Sequence, residues 1–427
     1  MTFKGQVIQK DNRALKRLRW AAMGKDQADA IICDIASLVS RLYQLLDSLD
    51  REKRIQVDDI LLRNILSRSA TASEVEQIQQ LLISIPSPNN SALQAAAKLK
   101  QIRLIIGADT REDEIKTALS KQTRDQMPII TKLKYKKLTY YISDRPLTYE
   151  GTEFARYDKR PVLVEWKFVK SHIWKDMQQQ VQCLAVLLAS PSATDCQSLL
   201  CIGYLPWEDR ELYALVYAIP GDAEHDDWSL KTLCDLIAAQ RHFSLGRRFA
   251  ISRRIAQVVL QLHTAGWLHK SLRSNNIIYI APKGARPDTA KASEFTQLPD
   301  TELNNDLYRH PEARGARRER YRKQFDVYAL GCILLETGMW QPLTELTTTF
   351  LDSNFETSAQ AAMEKNTSIE IPALLQVMQH QDLLDALRHA TGNSFLEAFT
   401  TAVLMDWSSE AGSEASLDTH QAILDRL

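Results

Sequence analysis

Disulfide frameworks, membrane spans and strong net charge are all missing from this chain. Its 427 residues include six cysteines, Cys33, Cys183, Cys196, Cys201, Cys234 and Cys332. They form no C-x-x-C pair and no metal-ligand spacing with histidine, so they read as reduced thiols in a cytosolic protein. No apolar run approaches the ~20 residues needed to span a bilayer, and the start, Met1-Thr2-Phe3-Lys4-Gly5-Gln6, is too polar for a secretory signal. With 53 basic residues balanced by 53 acidic ones, no global field points to nucleic acid. Glycine is scarce as well. Between Leu138 and Lys167 only Gly151 occurs, so that stretch lacks a glycine-rich loop of the kind that lets backbone approach phosphates.

What is present is an ordinary globular composition, 44% hydrophobic and 25% charged, at a length that suggests two or three domains of about 150 residues each. Residues 1–130 read as an α-helical bundle. Ile31, Ile32, Ile35, Leu38, Val39, Leu42, Leu45, Leu46 and Leu49 repeat at helical spacing. Further helical patterns run over 55–66, 73–85 and 91–106. Ser73 and Glu76 are placed as a capping box, and Pro86-Ser87-Pro88-Asn89-Asn90 makes a break. The apolar stripes are expected to form core. Residues 1–25 carry seven basic side chains against Asp11 alone; beside Trp20 and Met23 such a segment suits anionic lipid, although a solvated helix face is the simpler reading.

The remaining chain has a set of ordered motifs. In His269-Lys270-Ser271-Leu272-Arg273-Ser274-Asn275-Asn276, the His, Leu and Asn fall as in H-R-D-L-x-x-x-N. Tyr308-Arg309-His310-Pro311-Glu312 follows, then Phe325-Asp326-Val327-Tyr328-Ala329-Leu330-Gly331 on an apolar helix. Upstream, Val162-Leu163-Val164-Glu165-Trp166-Lys167 reads as a strand ending in lysine. In this order and spacing the segments resemble a protein kinase. The resemblance implies an α+β, protein-kinase-like bilobal fold preceded by the bundle, with an N-lobe over 131–219 and a C-lobe over 220–427. It implies that Asp326 bonds backbone groups of the 269–276 loop, that Gly331 allows close helix contact and that Glu312 closes the activation segment. It also places Lys167 at the nucleotide phosphates and Tyr217-Ala218-Ile219 at the adenine hinge.

The chemistry, by contrast, is depleted. Ser271 stands where the kinase pattern keeps its aspartate base, and a hydroxyl is a poor base at neutral pH. The magnesium aspartate should fall within Lys291-Ala292-Ser293-Glu294-Phe295-Thr296, where Glu294 is the only carboxylate. The helix expected to carry the acid partner of Lys167 offers Gln182 instead. No intact catalytic residue and no metal site remain: His269, Arg273 and Asn276 are expected to support the loop, with Arg273 also suited to an anion. The resemblance therefore implies a pseudokinase without a required cofactor, whose ATP binding, if any, is weak and independent of magnesium. The run Arg314, Arg317, Arg318, Arg320, Arg322 and Lys323 suits an acidic or phosphorylated partner or a solvated loop.

Ala14-Leu15-Lys16-Arg17-Leu18-Arg19-Trp20-Ala21 and the long helix after it resemble the second half of a HeLo-type helical domain of filamentous fungi. Ser244-Leu245-Gly246-Arg247-Arg248-Phe249-Ala250 and Gly266-Trp267-Leu268-His269-Lys270-Ser271 resemble the kinase-like domain that follows it in many fungal proteins. The combination implies a cytoplasmic signalling scaffold that acts through protein contacts, linked to heterokaryon incompatibility or cell death. Two alternatives stand: an active kinase with displaced catalytic groups, and a membrane-acting effector. The latter calls for an apolar helix before Ala14, which residues 1–13 do not contain. Within 220–427, Phe249, Ile255, Val258, Val259 and Leu262 are expected to share one helix face, stopped by Gly266 at C′.

Overall fold

The computed structural model describes residues 33–39, 41, 48–84, 90–107, 131–140, 151–168, 174–189, 199–219, 228–239, 243–282, 291–294, 307–313, 321–350, 380–404 and 412–427. Helices α1 (Ser48–Arg68), α2 (Ala72–Ser84) and α3 (Asn90–Gly107) come first. They enclose a core of Leu62, Leu66, Val75, Ile78, Leu82, Leu93, Ala96 and Ala97. The capping box of α2 lies two residues earlier than the sequence suggested. Glu74 N–H donates to Thr71 Oγ1 at 3.3 Å, and Thr71 N–H donates to Glu74 Oε2 at 3.2 Å. Glu74 wins over Glu76 because the same oxygen also accepts Ala70 N–H at 2.8 Å, gathering two backbone donors at once. The stripe expected to be core also departs from expectation: Ile35, Leu38 and Val39 are 54%, 59% and 40% exposed. Periodicity marks an apolar face, but tertiary packing decides whether anything covers it. The segments 1–25 and 314–320 lie outside the described residues.

A six-stranded sheet follows, in the order β1-β5-β6-β4-β3-β2. Its strands are β1 (Thr131–Lys132), β2 (Leu138–Tyr140), β3 (Gly151–Tyr157), β4 (Arg160–Phe168), β5 (Cys201–Trp207) and β6 (Leu212–Ala218). Only β1–β5 pairs parallel; the other pairs are antiparallel. The period-2 alternation of β4 sorts its side chains. Val162, Val164 and Trp166 join one face with Leu205, Leu212 and Val216. Leu163 joins the other, covered by α4 (Trp174–Ala189) through Val181, Ala185 and Leu188. A second, antiparallel sheet has the order β7 (Trp228–Thr232), β8 (Ile277–Pro282), β9 (Lys291–Glu294). Ile278 and Ile280 of β8 enter the cluster under α4.

The remaining helices are α5 (Leu233–Ala238), α6 (Leu245–Thr264), α7 (Lys323–Met339), α8 (Leu343–Phe350), α9 (Gln381–Thr391), α10 (Asn393–Leu404) and α11 (Gly412–Arg426). The chain is thus α+β. Every residue of α7 from Gln324 to Gly338 is buried, as befits a helix built on the apolar run Val327–Leu335. α6 ends in a Schellman motif: Trp267 N–H reaches Leu262 O at 2.8 Å and Gly266 N–H reaches His263 O at 3.1 Å, with Gly266 at φ +79°. Its apolar residues serve two faces rather than the single one expected. Ile255 and Val259 pack toward α7, while Val258 and Leu262 pack with Leu99 of α3. Trp267 Nε1 then donates to Leu99 O at 3.1 Å, so the bundle and the C-terminal helices share a seam. No helix among the described residues is long and apolar enough to cross a membrane.

Gly331 lies where α7 meets α10: a Cβ there would sit 2.3 Å from Val403 Cγ2 and 3.2 Å from Ala402 Cβ. Gly→Ala inside a helix ordinarily gains about 0.5–1 kcal/mol, but overpacking costs about 1–3 kcal/mol. Gly331→Ala is therefore expected to lower stability in urea titration, and adding Val403→Ala should recover part of the loss. A Gly331→Ala protein more stable than the parent contradicts this close approach.

Candidate functional site

Asp326, on the first turn of α7, has no exposed surface. Its Oδ2 accepts His269 N–H at 2.8 Å and its Oδ1 accepts Lys270 N–H at 2.8 Å. Tyr321 Oη donates to Oδ1 at 2.8 Å, and His263 Nε2 lies 3.0 Å from Oδ2. Burial opposes the carboxylate charge. The hydrogen bond from His263, joined by His269 and Tyr321, outweighs it and holds Asp326 below its ordinary pKa. Burial depresses His263 in turn, so a neutral imidazole donating from Nε2 faces an ionised aspartate. Held this way, Lys270 keeps a left-handed backbone at φ +67°, a region costly for a residue with a Cβ.

Beyond Lys270 the loop is tied to itself. Asn276 Nδ2 donates to Ser271 O at 2.6 Å, and Arg273 Nε donates to Asn276 Oδ1 at 3.0 Å. A guanidinium therefore occupies the amide oxygen that a metal ion would need, and the arrangement does not fit a cation. Ser274 Oγ shares a hydrogen bond with Tyr308 Oη at 2.9 Å, and Tyr308 donates to Glu336 Oε1 at 2.7 Å. Leu343 N–H reaches the same oxygen at 2.9 Å. Burial raises Glu336 from 4.5 to about 7, against the pull of Tyr308 and Leu343.

Lys167 lies on β4, 2.8 Å from Glu165 Oε1. Tyr217 Oη donates to Glu165 Oε2 at 2.8 Å, and Glu165 is 1% exposed. This corrects the expectation that Gln182 stands in for the lysine's partner. Gln182 Nε2 donates instead to Tyr204 Oη at 2.8 Å. Residues two apart on a strand point to one face, so the acid comes from the lysine's own strand and not from α4. Glu294 ends β9 opposite Ile277, and its side chain lies outside the described set. Glu312 is exposed, its carboxylate 3.8 Å from His310 Nδ1. Arg426 turns to Glu397 Oε2 at 3.1 Å. Among the described residues no group of His, Cys, Asp and Glu forms a metal cluster.

Beside the loop lies a small crevice, open to solvent, lined by Lys270, Ser271, Leu272, Arg273, Tyr308, Arg309, Tyr321 and Ala329. Of the anchoring residues, sequence reasoning missed Glu165, His263, Tyr308, Tyr321 and Glu336. Two had a signal: Glu165 sits two residues before Lys167, and Glu336 closes the apolar run Ile333-Leu334-Leu335. Compared with known protein families and with curated proteins, the chain matches none.

Asp326→Ala leaves buried donors unpaired and is expected to cost about 1–3 kcal/mol per orphaned group; an unchanged urea midpoint would remove Asp326 as the anchor. Glu336 generates a pH prediction. Its folded pKa of about 7 exceeds the ordinary 4.5, so folding takes up a proton between these values. The stability tied to the neutral form is complete below the ordinary value and is lost as pH rises through the folded one. Glu336→Gln should therefore stabilise the protein at pH 8 by up to about 3 kcal/mol, with no gain at pH 4.5. Denaturant titrations at both pH values measure this, and a variant destabilised at pH 8 contradicts it.

Proposed function

We propose that the chain is a non-catalytic signalling scaffold, a helical bundle joined to a protein-kinase-like unit that has lost phosphoryl transfer and acts through protein contacts. The observation that carries this reading is the closed bonding of the 269–276 loop. Ser271 stands at the base position, while Arg273 and Asn276, which would contact phosphate and metal in the kinase pattern, bond each other and the Ser271 carbonyl. The anchoring of that loop by Asp326 supports the likeness itself, and so does a strand lysine paired with an acid. The bilobal fold, the cytoplasmic location and a role in fungal heterokaryon incompatibility or cell death belong to the same proposal and rest on the motif resemblance. The Lys167–Glu165 pair favours a second reading, an active kinase with displaced groups, since the lysine has a carboxylate after all. That pair cannot replace the base, for Ser271 brings no carboxylate to the loop. A membrane-acting effector is the third reading; the exposed Ile35, Leu38 and Val39 suit it or a protein contact equally.

Purified protein incubated with labelled ATP, magnesium or manganese and generic protein substrates is expected to transfer no phosphate. Calorimetry should find ATP binding absent, or weak and unchanged by magnesium. Turnover abolished by Lys167→Met, or micromolar magnesium-dependent binding, would overturn the scaffold reading in favour of the kinase.

A further inference from the structure

Residues 131–140 carry four lysines and no acid. They form an arch that joins β1 to β2, the two edge strands of the six-stranded sheet. Leu133 and Leu138 seat the arch in the sheet core, while Lys132, Lys134, Tyr135, Lys136 and Lys137 are exposed. Hydrogen bonds hold its backbone. Leu133 N–H donates to Tyr204 O at 2.8 Å, Lys137 N–H to Lys134 O at 3.0 Å and Asp158 N–H to Lys137 O at 3.3 Å. Lys134 N–H reaches Tyr157 Oη at 3.2 Å. The lysines therefore project from a fixed backbone. Lys137 spends its ammonium on Asp158 at 2.7 Å. Among the described residues, no carboxylate forms such a pair with Lys132, Lys134 or Lys136. Lysine on an edge strand serves to block pairing with another chain. That accounts for Lys132 alone, because Lys134 and Lys136 lie between the two strands, before and within the helical turn Tyr135–Lys137.

We propose that this arch docks an acidic segment of a partner protein, an extended chain with carboxylates at alternate residues. Lys134 keeps an extended backbone, at φ −106° and ψ 123°, and Leu133, between it and Lys132, is buried. Residues two apart on an extended chain share a side and lie about 7 Å apart. Lys132 and Lys134 thus repeat at the spacing of alternate side chains on an extended ligand, and Lys136 continues the positive run into the turn. The aromatic neighbours help to choose the partner. The Tyr135 ring lies 4.2 Å from that of Trp207, and Arg210 sits over the Trp207 ring at 4.7 Å. Covered in this way, Trp207 is no open stacking platform, and one tyrosine does not make the track for successive bases that nucleic acid uses. Glu208 and Asp209, next to Arg210 in the turn after β5, repel an acid and confine it to the arch. Single exposed ion pairs are weak, so affinity comes from several pairs formed together and falls with salt. The surface deepens the scaffold reading, on which its biological use rests, by naming the chemistry of a partner.

The test is fluorescence anisotropy on the full chain at low ionic strength with three labelled peptides: an alternating serine–glutamate peptide, an isomer with its glutamates in one block, and a glutamine analogue of the first. The alternating peptide is expected to bind more tightly than the block isomer, the glutamine analogue not at all, and added salt should release the ligand. Lys132→Gln, Lys134→Gln and Lys136→Gln should each weaken binding about two- to fivefold, and the triple variant by more than about tenfold. Lys137→Gln, whose ammonium is already taken, should change it less than any of these. The triple arginine variant, which keeps the charge, should retain binding. Circular dichroism of each variant, together with the arginine protein, separates lost binding from lost folding. Absence of binding by the alternating peptide at millimolar concentration overturns the proposal, and so does equal binding of the block isomer or binding unaltered in the triple glutamine variant. Tighter binding of oligothymidine, or of vesicles rich in phosphatidylserine, overturns it in favour of nucleic acid or lipid. Phosphate transfer from ATP defeats the scaffold reading, whereas absent peptide binding defeats only this one.

Discussion

Four donors from three parts of the chain converge on the carboxylate of Asp326, and the arrangement of the loop follows from that convergence. Two are the backbone N–H groups of His269 and Lys270, one is the Tyr321 hydroxyl just before α7, and one is the His263 imidazole on α6. A fully buried carboxylate is tolerable only when its lone pairs are all engaged. The charge therefore binds loop, helix start and α6 into one geometry, and none of them can shift without leaving it unsatisfied. The second network, Ser274–Tyr308–Glu336 with Leu343 N–H, clamps the far end of the same loop. Here burial keeps the acid close to neutrality instead of charged. Two buried acids on α7, one held ionised and one pushed toward its neutral form, hold the loop from two sides.

The lysine on β4 is governed by a different constraint. Its acid partner is on its own strand, and Glu165 is held in turn by Tyr217 of β6. The pair is formed by strand geometry alone and is insensitive to the position of α4, whose Gln182 bonds Tyr204. A lysine whose charge is satisfied within its own sheet has no electrostatic reason to follow a helix movement.

α6 connects the halves of the molecule. Its Schellman stop at Gly266 turns the chain so that Trp267 reaches back to the carbonyl of Leu99, while Val258, Leu262 and Ala265 share a core with the same residue. The helical bundle is therefore not an appendage. It packs against the helix whose His263 holds Asp326.

Much of the helical layout was legible from periodicity and breaker residues. The stretches read as 55–66, 73–85 and 91–106 are Ser48–Arg68, Ala72–Ser84 and Asn90–Gly107, and Gly266 stops α6 as its position implied, because these signals are local. The roles of Asp326 and Gly331 were also readable, through the motif resemblance that placed them on that helix. Partnership was not readable. Glu165 instead of Gln182 for Lys167, Thr71 and Glu74 instead of Ser73 and Glu76 at the cap, and the two-sided use of α6 all depended on which donor or face was nearest in space. The exposed Ile35, Leu38 and Val39 make the same point for packing. By itself the sequence determined where several of the helices run and which chemistry Ser271 forgoes, because backbone preference and side-chain type are properties of neighbouring residues. Tertiary structure alone decided which charges are neutralised and by what, because a charge is satisfied by whatever folding places within a few ångströms of it, however distant in the chain.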